Sequence, residues 1–537
     1  MHSWSVFDRR RPLVAVLAVA VLLVAGLGAA PAAHGQEKVL NIGLYIEPPS
    51  LDPHNTELGT LIRELANIYE PLIDVREKIG VYEPVLATSW TASDDSLAYT
   101  FKLRKGVKFS DGTDFNAEAV RVNYDRVMNI KRGPYAAVKQ IKAVEVVDEG
   151  TVRFRVHKPS AAFLSTMRLF MMVSPAALRA NAGTDFGQSW FNERTAGTGA
   201  YKLDRWQRGS VVSLVKNDRH WRGFRPDNFD RVNMRIILEA DSQRLLLEQG
   251  QIDIAQIISI DALPALKRNP RIQVVETEYA GQMYLLLNTA LSPLNDPRVR
   301  KALAHAWNHD KYKALRKGIA PRADGPAPNV MLGEGYTLAN AYPFDLERAR
   351  KLLAEAGVKP GTTLTALVQK GDEQKRMLTE VFRDELDGLG VKVDFVEATW
   401  PAIFKRTTDW SATKDPGLNW HVVAFYKSPD LWTPWTFLYR MFHTETQVHK
   451  PSGQWNFVGY ANPAVDNLMD EANLTMDPGK ASALWRKANG MIYADMPAIP
   501  IEKMVEIAVL RSDIRGYKYH AYDNGRKLYL YDLSRAK

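Results

Sequence analysis

The chain has 537 residues, 46% of them hydrophobic and 24% charged, with a formal charge of +9 and no cysteine. Such a balance excludes a polytopic membrane protein and an extended disordered chain. Acids are interleaved with the lysines and arginines, so no clustered basic tract is available for nucleic acid. The length exceeds what one hydrophobic core supports, and two or three domains are expected.

The N-terminus reads as an export signal. Arg9, Arg10 and Arg11 precede an unbroken apolar run, Leu13 to Leu27, which is shorter than the roughly 20 residues of a spanning helix. Small residues then follow, and Ala33-His34-Gly35 fits cleavage before Gln36, with Ala32 as the alternative end, so residues 1–35 form the signal peptide. Arg10-Arg11-Pro12-Leu13-Val14 loosely resembles a twin-arginine signal, and the choice between export routes stays open. Without cysteine the exported chain has neither disulfides nor a thiol for lipid anchoring, which points to a freely soluble protein held in a periplasm.

Further along, strand and helix signals alternate, so the class is mixed α/β. Tyr99 to Leu103 reads as a strand, and Asn116, after the turn residues Ser110-Asp111-Gly112, caps a helix over Ala117 to Met128. Thr151 to Val156 and Val211 to Val215 are strands by alternation and β-branched content. Asp345 caps a helix whose Ala349, Leu352, Leu353 and Ala356 fall at helical spacing, and Gly357 stops it. No internal repeat or low-complexity tract appears.

Several blocks, in order, resemble the family 5 extracellular solute-binding proteins, the dipeptide, oligopeptide and nickel receptors of ABC importers. They are Glu47-Pro48-Pro49-Ser50-Leu51-Asp52-Pro53-His54, Leu86-Ala87-Thr88-Ser89-Trp90, the run Tyr99 to Gly112, Gly197-Thr198-Gly199-Ala200-Tyr201, Asp296 to Leu303, and Gly459-Tyr460-Ala461-Asn462-Pro463. The Tyr99 block is the strongest. The resemblance implies a two-lobed periplasmic binding protein of type II, with discontinuous lobes joined by a hinge and ligand held where they close. Residues 36–284 and 504–537 would form the first lobe, with 86–196 as its extra subdomain, and 285–503 the second. Crossovers would fall near Met283 to Leu287 and Ala498 to Ile501.

Most of these blocks specify fold. Trp90, Tyr99, Phe101 and Phe109 suit core packing, Gly197 and Gly199 a tight turn, and Asp296, Arg298 and Arg300 either contact with an anionic ligand or, equally well, a helix start with solvated charges. Trp400, Trp410, Trp420, Trp432, Trp435 and Trp455 are six of the 13 tryptophans, a density that suits either stacking on a ligand or a Trp-rich core. The ligand-contact expectations here are Trp420, Tyr426, Trp432 and Trp435. By the resemblance, Asp430 falls where oligopeptide receptors place the aspartate that pairs with a ligand's α-amino group, though Lys427 and Thr433 depart from the usual flanks. Glu47, Pro48 and Pro49 match the first-lobe segment beside a bound peptide, where the prolines can offer only carbonyl groups.

His305 with His309, and His443 with His449, lack a converging third ligand, so neither a metal nor another cofactor is expected. The expected function is capture of a peptide or similar solute by a monomer that delivers it to an inner-membrane ABC permease. An exported hydrolase of peptides or glycans is the alternative, with no Gly-x-Ser-x-Gly, His-Glu-x-x-His or cysteine nucleophile in its favour.

Overall fold

The computed structural model describes residues 37–55, 65–75, 81–160, 163–333, 335–429, 432–451, 453, 455–518 and 528–536. The signal-peptide reading for 1–35 lies outside these residues.

A ten-stranded mixed sheet organises the fold. Its order is Lys392–Ala398, Thr363–Gln369, Val422–Lys427, Ile272–Leu287, Ala498–Arg511, Ile254–Ala255, Val39–Leu44, Arg231–Ile236, Val211–Lys216 and Tyr201–Gln207. At its centre lie two long antiparallel strands, Ile272–Leu287 and Ala498–Arg511.

The sequence of these strands explains their span. Ile272 to Glu278 carries charges at Glu276 and Glu278, whereas Tyr279 to Leu287 is apolar apart from Gln282 and is buried throughout, as a strand covered on both faces must be. In the partner strand, Ala498 to Glu502 and Ala508 to Leu510 are buried, but Lys503 to Ile507 are only partly so. Cover is therefore thinnest where Thr277 and Glu278 pair with Glu506 and Val505. At this waist Lys503 holds Glu278 at 2.7 Å. Just beyond it the register shifts: Tyr279, Ala280 and Gly281 lie opposite the single residue Met504.

Separate cores flank the waist. One joins Leu40, Ile42, Tyr69, Tyr201, Val232 and Met234 to Ala508, Leu510 and Leu530, so the chain's last segment packs with its first. Two others draw on the later residues, one around Trp410, Trp420 and Phe437 and one around Leu285, Trp307, Phe382 and Ile499. A fourth lies under an antiparallel sheet, Ala87–Ala92, Ala98–Leu103, Thr151–Val156 and Ile141–Asp148, covered by the helix Ala117–Ile130.

The predicted helices hold. Asn116 accepts from the Ala119 N–H at 3.0 Å, and Asp345 accepts from Arg348 N–H at 2.8 Å to open Leu346–Glu355. Gly357 has φ +74, the left-handed stop. Two local readings are corrected. Gly197 and Gly199 serve close backbone approach rather than a turn: a Cβ on either would stand 2.1 and 2.4 Å from the carbonyl oxygens of Ile68 and Asn67. Arg300 is not solvated but buried, donating to the carbonyls of Leu294 and Asp495 and so tying two helices together.

Candidate functional site

Strand direction locates the site. Val39–Leu44 runs parallel to Arg231–Ile236 and Ile254–Ala255, and all three share the direction of Ile272–Leu287 because each step through Ala498–Arg511 is antiparallel. Val422–Lys427 runs against Ile272–Leu287, with Thr363–Gln369 and Lys392–Ala398 parallel to it. Both sets of parallel strands therefore point their carboxyl ends at the waist, one from each side. Open α/β sheets bind ligands at carboxyl edges, and here two such edges face one region.

On the first side the edge exposes apolar side chains: Tyr45 is 41% exposed, and Ile46, Leu238 and Ile257 are exposed as well. Gln243, wholly buried, fixes this edge. Its amide donates to the Ile237 carbonyl at 2.7 Å while its oxygen accepts from the N–H groups of Gln256 at 2.8 Å and Ile257 at 3.2 Å. Gly43 makes room for it, since a Cβ there would come within 2.9 Å of that amide.

Glu47 is taken up by a neighbouring hairpin. Its Oε1 accepts from Trp206 Nε1 at 3.1 Å and from the Gly209 N–H at 3.0 Å. The Pro48 carbonyl accepts from Arg208 at 3.1 Å, and Arg208 lies over the Trp206 ring. Pro48 is buried and Pro49 exposed. The groups of this segment left facing outward beside the strand end are Tyr45 and Ile46.

On the second side Tyr426 and Lys427 close the edge. The Tyr426 hydroxyl meets the Tyr279 hydroxyl at 2.7 Å, which joins the edge to the bulge, and Gly281 admits the Tyr279 ring where a Cβ would stand 2.5 Å from it. Lys375, nearly buried, donates to Gln369 at 2.5 Å, pairs with Asp372 at 3.1 Å and lies 5.5 Å from the Trp400 ring. Lys427 Nζ and the Arg440 guanidinium each lie 5.6 Å from Trp455, inside an aromatic group with Phe425 and Phe457. This side thus brings cations and ring faces together.

The tryptophans divide. Trp420 is fully buried, edge-on to Trp410 at 6.4 Å, which makes it a core residue rather than a ligand wall. Trp432 is 8% exposed in the same core. Trp435 is half-buried and stacks on Tyr439 at 5.8 Å, which stacks on His443 at 4.1 Å. Burial and the carboxylates of Asp470 and Asp466 push the Tyr439 hydroxyl up to about 12. Asp430 lies outside the described residues. Among the described residues no group of three or more metal-ligating side chains converges: His305 bonds the Pro343 carbonyl, and His449 bonds Ser411. Sequence reasoning missed Gln243, Tyr279 and Lys375, whose roles come from strand order; the turn-free Tyr-Ala-Gly break in an apolar run was the one available signal.

Residues 81–448 match the model of the bacterial extracellular solute-binding proteins, family 5 (middle). The probable D,D-dipeptide-binding periplasmic protein DdpA of Escherichia coli is 30% identical over 503 residues, covering 91% of this chain and 93% of that one. The glutathione-binding protein GsiB of Pectobacterium atrosepticum is 29% identical over 489 residues, covering 90% and 91%. The structure of the periplasmic binding protein DppA of Helicobacter pylori, in complex with the peptide STSA, superposes with a TM-score of 0.75 at 25% identity, covering 93% of this chain and 99% of that one. With two carboxyl edges facing across a paired-strand waist, and a family match over most of its length, the chain belongs to the family 5 bacterial extracellular solute-binding proteins.

Proposed function

We propose that the protein is the periplasmic receptor of an ABC importer and captures a small peptide between two lobes that close about the waist. The observation that carries this reading is the pair of opposed carboxyl edges joined in the sheet by Ile272–Leu287 and Ala498–Arg511, with the bulge at Tyr279 to Gly281 between them. The bulge adjoins the thinly covered stretch Lys503 to Ile507, and a local break in strand pairing of this kind is where a hinge can absorb φ/ψ change. The first lobe is residues 36–284 with 504–537, including the subdomain 86–196, and the second is 285–503.

Peptide is favoured over other solutes because D,D-dipeptide, glutathione and STSA name the ligands of the relatives above. The chemistry suits it: apolar Tyr45, Ile46, Leu238 and Ile257 stand exposed at the first edge, where they can meet peptide side chains. Asp430, three residues past Lys427 in the sequence, would receive the α-amine. Family membership offers nothing to the exported-hydrolase alternative.

Calorimetry with an L,L-dipeptide, a D,D-dipeptide and glutathione, each free and N-acetylated, tests the reading. One free peptide should bind, and acetylation or Asp430→Asn should each weaken it by about 2 to 4 decades, with little added loss in combination. Equal binding of free and acetylated forms would remove the amine pairing. Native mass spectrometry that finds only a non-peptide solute would remove the ligand class. Intact mass of the exported protein should place its start at Gln36.

A further inference from the structure

The later half of the chain encloses a cavity of about 230 Å³ whose walls share no residue with the two strand edges. Trp307, Arg322, Asp324, Asn340, Tyr342 and Tyr493 line it, and Leu338, Asn340 and Tyr342 bring the surface loop 335–344 over it.

The polar groups around it are unequally engaged. Asp324 accepts from the Asn329 N–H at 3.0 Å and has Lys503 at 3.7 Å, a cation it shares with Glu278. Asn340 Oδ1 accepts from the Tyr342 N–H at 3.1 Å and from the Tyr493 hydroxyl at 3.3 Å, and Tyr342 donates to the Ala494 carbonyl at 3.4 Å. The Asp495 carbonyl, at the neighbouring helix end, is taken by Arg300. These acceptors are in use.

One donor is not. The Arg322 guanidinium has neither a hydrogen bond nor a carboxylate within ion-pair distance among the described residues; Asp310 acts on it only from farther away. A half-buried cation without an anion is costly, and a carboxylate neutralises it with two oxygens that match the guanidinium fork.

We propose that this cavity is a second binding site, separate from the interlobe cleft, that takes the carboxylate group of a small organic acid through Arg322. The apolar walls, Ala304, Met496 and Ile499, accept a short hydrocarbon chain behind the carboxylate. The assignment stands on the cavity's own residues and does not depend on what occupies the cleft.

Propionate and its neutral isostere propionamide test it by calorimetry on the full exported chain. Propionate should bind saturably below about 50 mM and propionamide at least tenfold more weakly. Arg322→Met should lose about tenfold or more for propionate. Circular dichroism establishes that the variant is folded. If Arg322→Met does not fold, the amide comparison on the unmodified protein still decides. Equal binding of acid and amide, wild-type propionate affinity in folded Arg322→Met, or no saturable heat from propionate would each overturn the assignment.

Discussion

Asp52→Asn should unfold the first lobe at markedly lower denaturant, although Asp52 belongs to the family's opening block and sits only five residues from Glu47. Asp52 and Arg126 have side chains 0% and 1% exposed and form a bidentate pair, Nη1 to Oδ1 at 2.8 Å and Nη2 to Oδ2 at 2.6 Å. The same guanidinium donates to the Phe186 carbonyl at 2.8 Å and to His54 Nδ1 at 3.1 Å, and His54 Nε2–H donates to the Met171 carbonyl at 2.8 Å. One buried cation thus joins four segments. Asparagine keeps the size and one acceptor oxygen but leaves the guanidinium without its counter-charge, which costs about 3 to 5 kcal/mol for a pair this deep. An exposed pair would cost less than about 1 kcal/mol, so the two cases are well separated. Urea titration followed by tryptophan fluorescence and circular dichroism measures it, provided the two probes coincide, as two-state treatment requires. Arg126→Met and the double variant complete a cycle whose coupling should exceed about 1 kcal/mol. A loss below about 1 kcal/mol in Asp52→Asn would mean that water reaches the pair and that this block is not a structural lock.

Further expectations follow from the same geometry. Gln243→Leu should cost about 2 to 4 kcal/mol in the same titration, because the Gln256 and Ile257 N–H groups and the Ile237 carbonyl lose their partner; a loss under about 1 kcal/mol would sink its role as organiser of the edge. Stability should fall as the pH drops from 6.5 to about 4. Burial and then Arg126 lower His54 to about 4, and burial and then Arg322 lower His309 to about 4, so in this window the unfolded chain binds more protons. Each fully realised shift is worth roughly 3 kcal/mol. Glu502, raised by burial, works in the opposite sense, and His54→Gln should flatten the slope if the assignment is right. Saturating peptide should reduce the radius of gyration in small-angle scattering, and no change on going from empty to full would count against closure at the waist.

What could be read from the chain alone divides by the distance at which each group is satisfied. Asp345 and Asn116 announced their helices because their caps bond three residues on, and the Val211 and Thr151 strands declared themselves by alternation. Gly199 was misread as a turn because the backbone it touches, Asn67 and Ile68, lies more than a hundred residues away. Arg300 looked solvated for the same reason: its partner carbonyl at Asp495 is 195 positions off. The cleft follows this rule. Tyr426 and Trp435 were legible as aromatics near a strand end, but the carboxyl edge on which Tyr426 lies exists only once ten strands have taken their directions. Glu47 shows the consequence for specificity. With its oxygen held by Trp206 and Gly209 from the hairpin, it fixes the loop that presents Tyr45 and Ile46 rather than reaching across the cleft itself. Under the proposed function, selection of ligand side chains at the first edge would therefore fall to those two exposed groups with Leu238 and Ile257, residues that the apolar sequence around them concealed by making them look like ordinary core.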